Sequence, residues 1–355
     1  MKKNNFIIQI SKSRTKSFIF IILISMALSS CSQVNNLEPT LTFVVDTPTT
    51  IPPTETATSV ADIGTIENPI IIAYIVSGST ENVANQAQDL VNSLEANTGY
   101  EIEFKPYNDG LEAINDLRQS KIHFFFIQPL TYLAAAERDL IVPLLVSNHF
   151  GLYNYGTQFF VNKDSSFNTY FDEKTNKSTT SAEFALRQFE GKKPCWTEPS
   201  SLSGTIVPYG ILAMNGVAFL PPAYLQSPTS VIRALYIKGI CDFGATYAYS
   251  GDPRTSSLVI NDLPDVLTQI EIVWQSDAFI PSLGFSASIE VPQHIQTEFK
   301  ELFINLTETD EGKALVTNAL QYDIQGFLAI EDDFYSQLRD HVDAANINPY
   351  QHLGY

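Results

Sequence analysis

The chain has 355 residues, long for one core, so two lobes or domains are expected. Hydrophobic residues make up 44% and aromatics 12%, which supplies a packed interior. A formal charge of −18 excludes bulk nucleic acid as a partner, since that needs a basic face, but leaves a small anion open, because local N–H groups bind anions inside acidic proteins.

At the start of the chain Lys2, Lys3, Lys12, Arg14 and Lys16 precede the apolar run FIFIILISMAL, Phe18 to Leu28, and no acid occurs in the first thirty residues. A basic region before a short apolar core is a secretory signal, and this core is too short to span a bilayer comfortably. The run ends in Leu28-Ser29-Ser30-Cys31, which looks like a bacterial lipobox, a signal whose cysteine is acylated and becomes the new first residue. Residues 1–30 are therefore expected to be a lipoprotein signal peptide and Cys31 a lipid anchor; an uncleaved N-terminal anchor is the alternative. Either way the body lies outside the cytoplasm, on the outer face of the plasma membrane or in a periplasm. Residues 31–66 are polar and rich in Thr and Pro, including TPTTIPPTETATS, and cannot bury enough apolar area to order themselves. They read as a disordered tether reaching roughly 30 Å.

Then the pattern changes. PIIIAYIV (Pro69 to Val76) reads as a fully buried strand, followed by a helix with Val83, Ala87, Leu90, Val91 and Leu94 at helical spacing and Gly99 as its stop. YEIEFKPY, IHFFFI and LIVPLLVS read as further strands, with GLEAINDLRQS and LTYLAAAERD as the helices between them. Phe124, Phe125 and Phe126 are core. A second series begins near Thr157: strands TQFFVNK, KKPCWT, CDFGATYA and IEIVWQS, and helices over SAEFALRQFEG, Ile206 to Met214, and SVIRALYIKG. Residues 164–181 read as loop, and two helices are expected over EFKELFINLTETDEGKALVTNAL. Strands alternating with helices give an α/β fold with mostly parallel sheets covered on both faces. A return near residue 282 suggests lobe 1 over residues 67–156 and 283–355 and lobe 2 over 157–282, with the cleft between them.

Cys195 and Cys241 remain after Cys31. An exported compartment permits disulfides, and both stand at predicted strand ends, so they are expected to pair; two buried free thiols are the alternative. His123, His149, His294, His341 and His352 have no close ligand spacing, so neither a metal nor another cofactor is expected.

The stretch CWTEPSSLSGTIVP, Cys195 to Pro208, crowds Ser200, Ser201, Ser203, Gly204 and Thr205 before an apolar run. Pro is tolerated only in the first turn of a helix, so Pro208 puts the helix start near Ser203–Thr205. Exposed N–H groups at such a start, with hydroxyls beside them, suit an anion. A plain N-cap accounts for the serines equally well.

Six segments in order resemble the phosphate/phosphite/phosphonate class of ABC-transporter substrate-binding proteins over residues 68–345: AYIVSGSTENV, LRQSKIHFFFIQPLTYLAAAER, EPSSLSGTIVP, IKGICDFGATY, SDAFIPSLGFSASIEVP and the ETDEGKALV helix. The resemblance implies a two-lobed type II periplasmic-binding-protein fold. In such proteins the turn at EPSSLSGTIVP grips the oxyanion through hydroxyls and backbone N–H groups. It implies a ligand set of Ser77, Tyr107, Tyr132, Tyr155, Ser201, Leu202, Ser203, Gly204, Thr205, Thr229 and Tyr249, to which Gln128 is added because it directly follows the buried strand IHFFFI, at a carboxyl end. For several of these a structural role competes: Ser77 and Thr229 as caps, the tyrosines as half-buried packing residues.

The sequence also departs from the family pattern. The middle threonine of the turn is Leu202, and the histidine before the next helix is absent at Ser227-Pro228-Thr229. Acidic positions that hold an amine in some members fall on Tyr249 and Leu283, which argues against an aminophosphonate. The first-lobe tyrosine slot falls on Tyr107 or on Gly110. The expected function is capture of a small oxyanion and its delivery to an ABC-transporter permease, with no reaction, the protein acting as a monomer. The alternatives are a sensory receptor for another small polar or aromatic ligand, a ligand-free structural lipoprotein, and a hydrolase. The last lacks a Gly-x-Ser-x-Gly elbow.

Overall fold

In the computed structural model the described residues are 62–76 and 80–353. The signal segment, Cys31, the tether up to residue 61, and Ser77 lie outside them. Residues 62–66, read from composition as the end of the tether, instead form a turn tied to the body: Gly64 N donates to Asn68 O and Glu101 N donates to Gly64 O.

The first series forms as the apolar pattern requires: β1 (Ile70–Ile75), α1 (Thr80–Gln86), α2 (Gln88–Thr98), β2 (Ile102–Tyr107), α3 (Gly110–Arg118), β3 (Phe124–Ile127), α4 (Pro129–Ala136) and β4 (Ile141–Asn148). The single helix expected after β1 is two, parted at Ala87. The three phenylalanines of β3 show why its run is continuous. Phe124 and Phe126 pack on one face with Phe285, Phe299 and Phe303, while Phe125 faces the opposite core, so both faces are buried.

The chain then crosses to a second sheet: β5 (Asn154–Asn162), the short hairpin β6 (Phe171–Asp172) and β7 (Lys177–Ser178), α5 (Ala182–Leu186), β8 (Pro194–Trp196), α6 (Val207–Met214), β9 (Ala223–Tyr224), α7 (Pro228–Ile237), β10 (Phe243–Ala248), α8 (Ser257–Ile260), α9 (Val266–Gln269), β11 (Ile270–Gln275) and β12 (Ile280–Pro281). It returns through β13 (Gly284–Ser288), α10 (Gln293–Leu306), α11 (Asp310–Leu320), β14 (Gly326–Ala329), α12 (Ser336–Ala344) and α13 (Pro349–His352).

The first sheet has the order β14-β4-β13-β3-β1-β2, and the second β11-β5-β10-β8-β9 with β12 beside β5. β1 pairs parallel with β2 and β3, and β13 pairs antiparallel with both β3 and β4, so β1 to β4 share one direction. In the second sheet β8, β9 and β10 are parallel, and β5 opposes β10, β11 and β12. The sheets are thus mixed, with most strands in one direction. Two of the opposed strands, β5 and β13, bring the chain over from the other sheet. A strand entering from the crossover side must run away from it, against its neighbours. The remaining opposed strand is β14.

Cys195, in β8, is disulfide-bonded to Cys241, just before β10, with Cα atoms 5.6 Å apart. The chain beyond residue 320 goes further than the sequence pattern indicates. Helix α12 lies along α6 at such close range that a Cβ on Gly210 would stand 2.1 Å from the carbonyl oxygen of His341. His341 also stacks on Phe279, ring centroids 4.4 Å apart. Helix α13 packs on α4, with the Arg138 guanidinium 3.7 Å from the Tyr350 ring centre, and His352 Nε2 donates to Pro199 O at 2.6 Å. Among the described residues no helix is long and apolar enough to cross a membrane, and no group of three or more His, Cys, Asp or Glu is placed to hold a metal.

Candidate functional site

The serine turn leaves the carboxyl end of β8. Ser201, in extended conformation, caps it, its Oγ accepting from Gly204 N at 3.2 Å. The first turn, Leu202–Ile206, is π-helical, and regular α-helix begins at Val207 with Pro208 in its opening turn. Such wide turns recur at functional sites because they splay backbone N–H groups away from the usual i−4 partners. The amides of Leu202 and Ser203, first in the turn, have no helical carbonyl behind them.

Several other groups fix the turn from behind. Thr205 Oγ1 donates to Glu198 O at 2.7 Å, tying the turn to its own approach. Ser203 O accepts from Thr157 Oγ1 at 2.7 Å. Gly204 is needed for close approach: a Cβ there would meet Thr197 Oγ1 at 2.1 Å. The Ser201 cap bond uses the oxygen as acceptor and leaves the hydroxyl proton for another partner.

Two adjoining cavities open at this turn. One, of about 310 Å³, is walled on the first-sheet side by Gln128, Pro129 and Leu130, and on the other by Thr197, Glu198, Ser200 to Ser203, Gln226 and Pro228. The second, of about 340 Å³, is lined by His149, Leu152, Tyr247, Ser250 and Ser282. Tyr155 and Ser203 belong to both. No Lys or Arg lines either cavity among the described residues, so attraction for an anion rests on neutral donors and the positive end of the helix. Burial raises the pKa of Tyr155, with Tyr322 adding to the effect, so its phenol stays a protonated donor. Larger cavities lie elsewhere, about 640 Å³ beside His123 and about 580 Å³ beside Trp274. Size does not select the site. Position at strand carboxyl ends, between the two sheets, does.

The predicted residues divide accordingly. Gln128, Tyr155, Ser201, Leu202 and Ser203 meet on one wall system, while Gly204 and Thr205 stand behind it as its support. Tyr107 lines neither cavity; its hydroxyl donates to Asp116 at 2.9 Å, and burial with the Asp116 charge pushes its pKa up to about 12 against the opposing pull of Lys105. Tyr132 is buried, stacks on Tyr335 at 4.0 Å and donates to Asp332 at 2.7 Å. Thr229 Oγ1 lies 3.1 Å from Ser227 Oγ, and Ser227, not Thr229, caps α7. Tyr249 donates to Ser276 O at 2.8 Å and faces the cavity beside Trp274. Reasoning from sequence passed over Thr197, Gln226, Tyr247, Ser250 and Ser282 as wall residues. For Tyr247 and Ser250 a signal existed, since both stand at the carboxyl end of β10, the same rule that singles out Gln128 after β3.

Residues 72–335 match the model of the family described as ABC transporter, phosphonate, periplasmic substrate-binding protein. The chain belongs to this family. The phosphonate-binding family consists of extracytoplasmic solute receptors, non-catalytic, that serve a membrane permease. Among relatives, the chain is 22% identical over 247 residues to the phosphate-import protein PhnD of Mycolicibacterium smegmatis, covering 66% of this chain and 70% of that one. Its fold is similar to that of XAC2383 from Xanthomonas citri, solved bound to ATP (TM-score 0.57, 16% identity, 78% of this chain and 96% of that one). It is also similar to that of PhnD1 from Prochlorococcus marinus, solved with methylphosphonate (TM-score 0.51, 14% identity, 78% and 98%).

Proposed function

We propose that this phosphonate-binding family member captures a small tetrahedral oxyanion, phosphonate-, phosphite- or phosphate-like, at the serine turn, and hands it to an ABC-transporter permease. The lobes are residues 67–156 with 283–355, and residues 157–282, and the protein is held at the membrane as a monomer by a lipid on Cys31 and the tether that follows. The observation that carries this reading is Ser203. It lines both cavities, its hydroxyl makes no hydrogen bond among the described residues, and its carbonyl is fixed from behind by Thr157. A pinned backbone with an uncommitted hydroxyl is a preorganised donor. Charge-assisted bonds contribute about 1.5–3 kcal/mol each, so three or four reach micromolar affinity. Closure follows because an oxyanion touching Gln128 on one side and Ser203 on the other makes both contacts only when the walls approach.

A thermal-shift panel of phosphate, phosphite, alkylphosphonates, sulfate and carboxylates tests the proposal. At a thousandfold excess over Kd the bound form gains about 4 kcal/mol. A shift with at least one phosphorus oxyanion and none with carboxylates is expected; a flat response to every tetrahedral oxyanion would refute it.

A further inference from the structure

Two wall positions of the cavity at the serine turn carry side chains with no donor, Leu202 and Pro228. Two others carry donors whose state in the fold is unusual. Thr197 is 2% exposed, and its Oγ1 has no hydrogen-bond partner among the described residues. Burying a hydroxyl unpaired is unfavourable and calls for an explanation, an occupant among them. Of seven such atoms among the described residues, Thr197 Oγ1 alone belongs to a residue lining the cavities at the serine turn. The oxygen is shut off from solvent against Gly204, whose missing Cβ makes the room for it, so it reaches a guest in the cavity only by turning about χ1. Gln226 has φ 66°, a left-handed conformation strained for a side chain of this kind. Its neighbours enforce that conformation, with Leu225 N bonded to Trp196 O, Ser227 N to Leu225 O, and Ser227 fixed as the cap of α7.

We infer that Thr197 and Gln226 are specificity-determining ligand contacts: the Thr197 hydroxyl and the Gln226 amide complete the donor shell around the oxyanion where Leu202 and Pro228 leave it short. This rests on the reading of the site as an oxyanion receptor. In the empty protein the cost at Thr197 is a buried hydroxyl without a partner among the described residues, and at Gln226, whose side chain is exposed, it is the left-handed backbone. The resulting shell is made of uncharged donors.

That arrangement has a signature no purely structural role shares. Thr197→Val removes only the hydroxyl and keeps the shape; Gln226→Gly removes the amide and relieves the left-handed strain. Each variant is expected to leave the ligand-free Tm equal to wild type or higher. Each is also expected to weaken, by about ten- to a hundredfold, whichever of phosphate, phosphite, methylphosphonate and methanesulfonate binds wild type most tightly by calorimetry. Thr197→Ser, which keeps the hydroxyl, should retain binding. Each residue stands or falls on its own variant: wild-type affinity, or a loss of affinity together with a lowered ligand-free Tm, overturns its assignment. If Ser201→Ala with Ser203→Ala abolishes binding while Thr197→Val and Gln226→Gly bind as wild type, the receptor reading survives and this inference alone fails. If none of the four probes binds wild type, both fail.

Discussion

Thr157 Oγ1 lies 2.7 Å from the carbonyl oxygen of Ser203 and 3.1 Å from that of Thr246, so one buried hydroxyl on β5 ties the serine turn to β10. Thr157 is wholly buried, and water cannot replace the bond. Thr157→Val keeps the shape and removes the donor, leaving the Ser203 carbonyl unpaired. A loss of about 1–3 kcal/mol in urea unfolding is expected, with weaker oxyanion binding because the turn loses its support. An unchanged urea midpoint would show that the hydroxyl does not hold the turn.

The contact between Gly210 and His341 makes a second prediction. Any Cβ at Gly210 runs into backbone of α12, which has no flexible end to swing aside. Gly210→Ala should therefore cost about 1–3 kcal/mol, the usual range for overpacking. The lost protection should appear first in α12 by hydrogen exchange. Full protection of α12 in the variant would mean the helices are not packed as described.

The disulfide fixes β8, a strand of only three residues, two residues before the approach to the serine turn. It closes a loop with a sequence separation of 46, for which chain entropy gives about 4 kcal/mol. Cys195→Ala with Cys241→Ala, or reduction of the wild type, should lower the unfolding midpoint by an amount in that range. Equal midpoints under oxidising and reducing conditions would contradict the pairing.

Stability should also depend on pH through His123. Its Nδ1 accepts from Ile71 N at 2.9 Å, so the ring is neutral with the proton on Nε2, and burial lowers its pKa. Burial lowers that of His341 as well, its bond to the Gln337 carbonyl partly offsetting this. A depressed folded-state pKa means the unfolded chain takes the proton first. The contribution is therefore complete above the ordinary imidazole value of about 6.5 and is lost as pH falls below it. His123→Gln should reduce the slope of unfolding free energy between about pH 7.5 and 5.5, by at most about 1.4 kcal/mol per pH unit. Identical slopes would remove His123 as a source.

β1 to β4 of the first sheet and β5, β8, β10 and β11 of the second were legible, those buried on two faces because such burial writes continuous apolar runs such as IIIAYI and FFFI. The short strands β9 and β12, and β13 and β14 of the return, were not. The serine turn was legible because Pro208 locates the helix start. Helices α12 and α13 were not: SQLRDHVDA is polar on most of its surface, and its packing depends on Gly210, more than a hundred residues away. Tyr107 and Tyr132 misled for a related reason. A tyrosine at the right distance along the chain looks the same whether its hydroxyl meets a ligand or an aspartate, and here the partners are Asp116 and Asp332. Thr197 was missed because an orphaned hydroxyl is a property of the fold, with no trace in composition or spacing.

The most direct measurement is calorimetric titration of wild type and of Ser201→Ala with Ser203→Ala, using the oxyanion that gives the largest thermal shift. The double variant loses two hydroxyls on a turn whose backbone support at Thr157 and Thr205 is untouched, and its affinity is expected to fall by about a hundredfold or more. Binding of the double variant within threefold of wild type would contradict an oxyanion site at this turn.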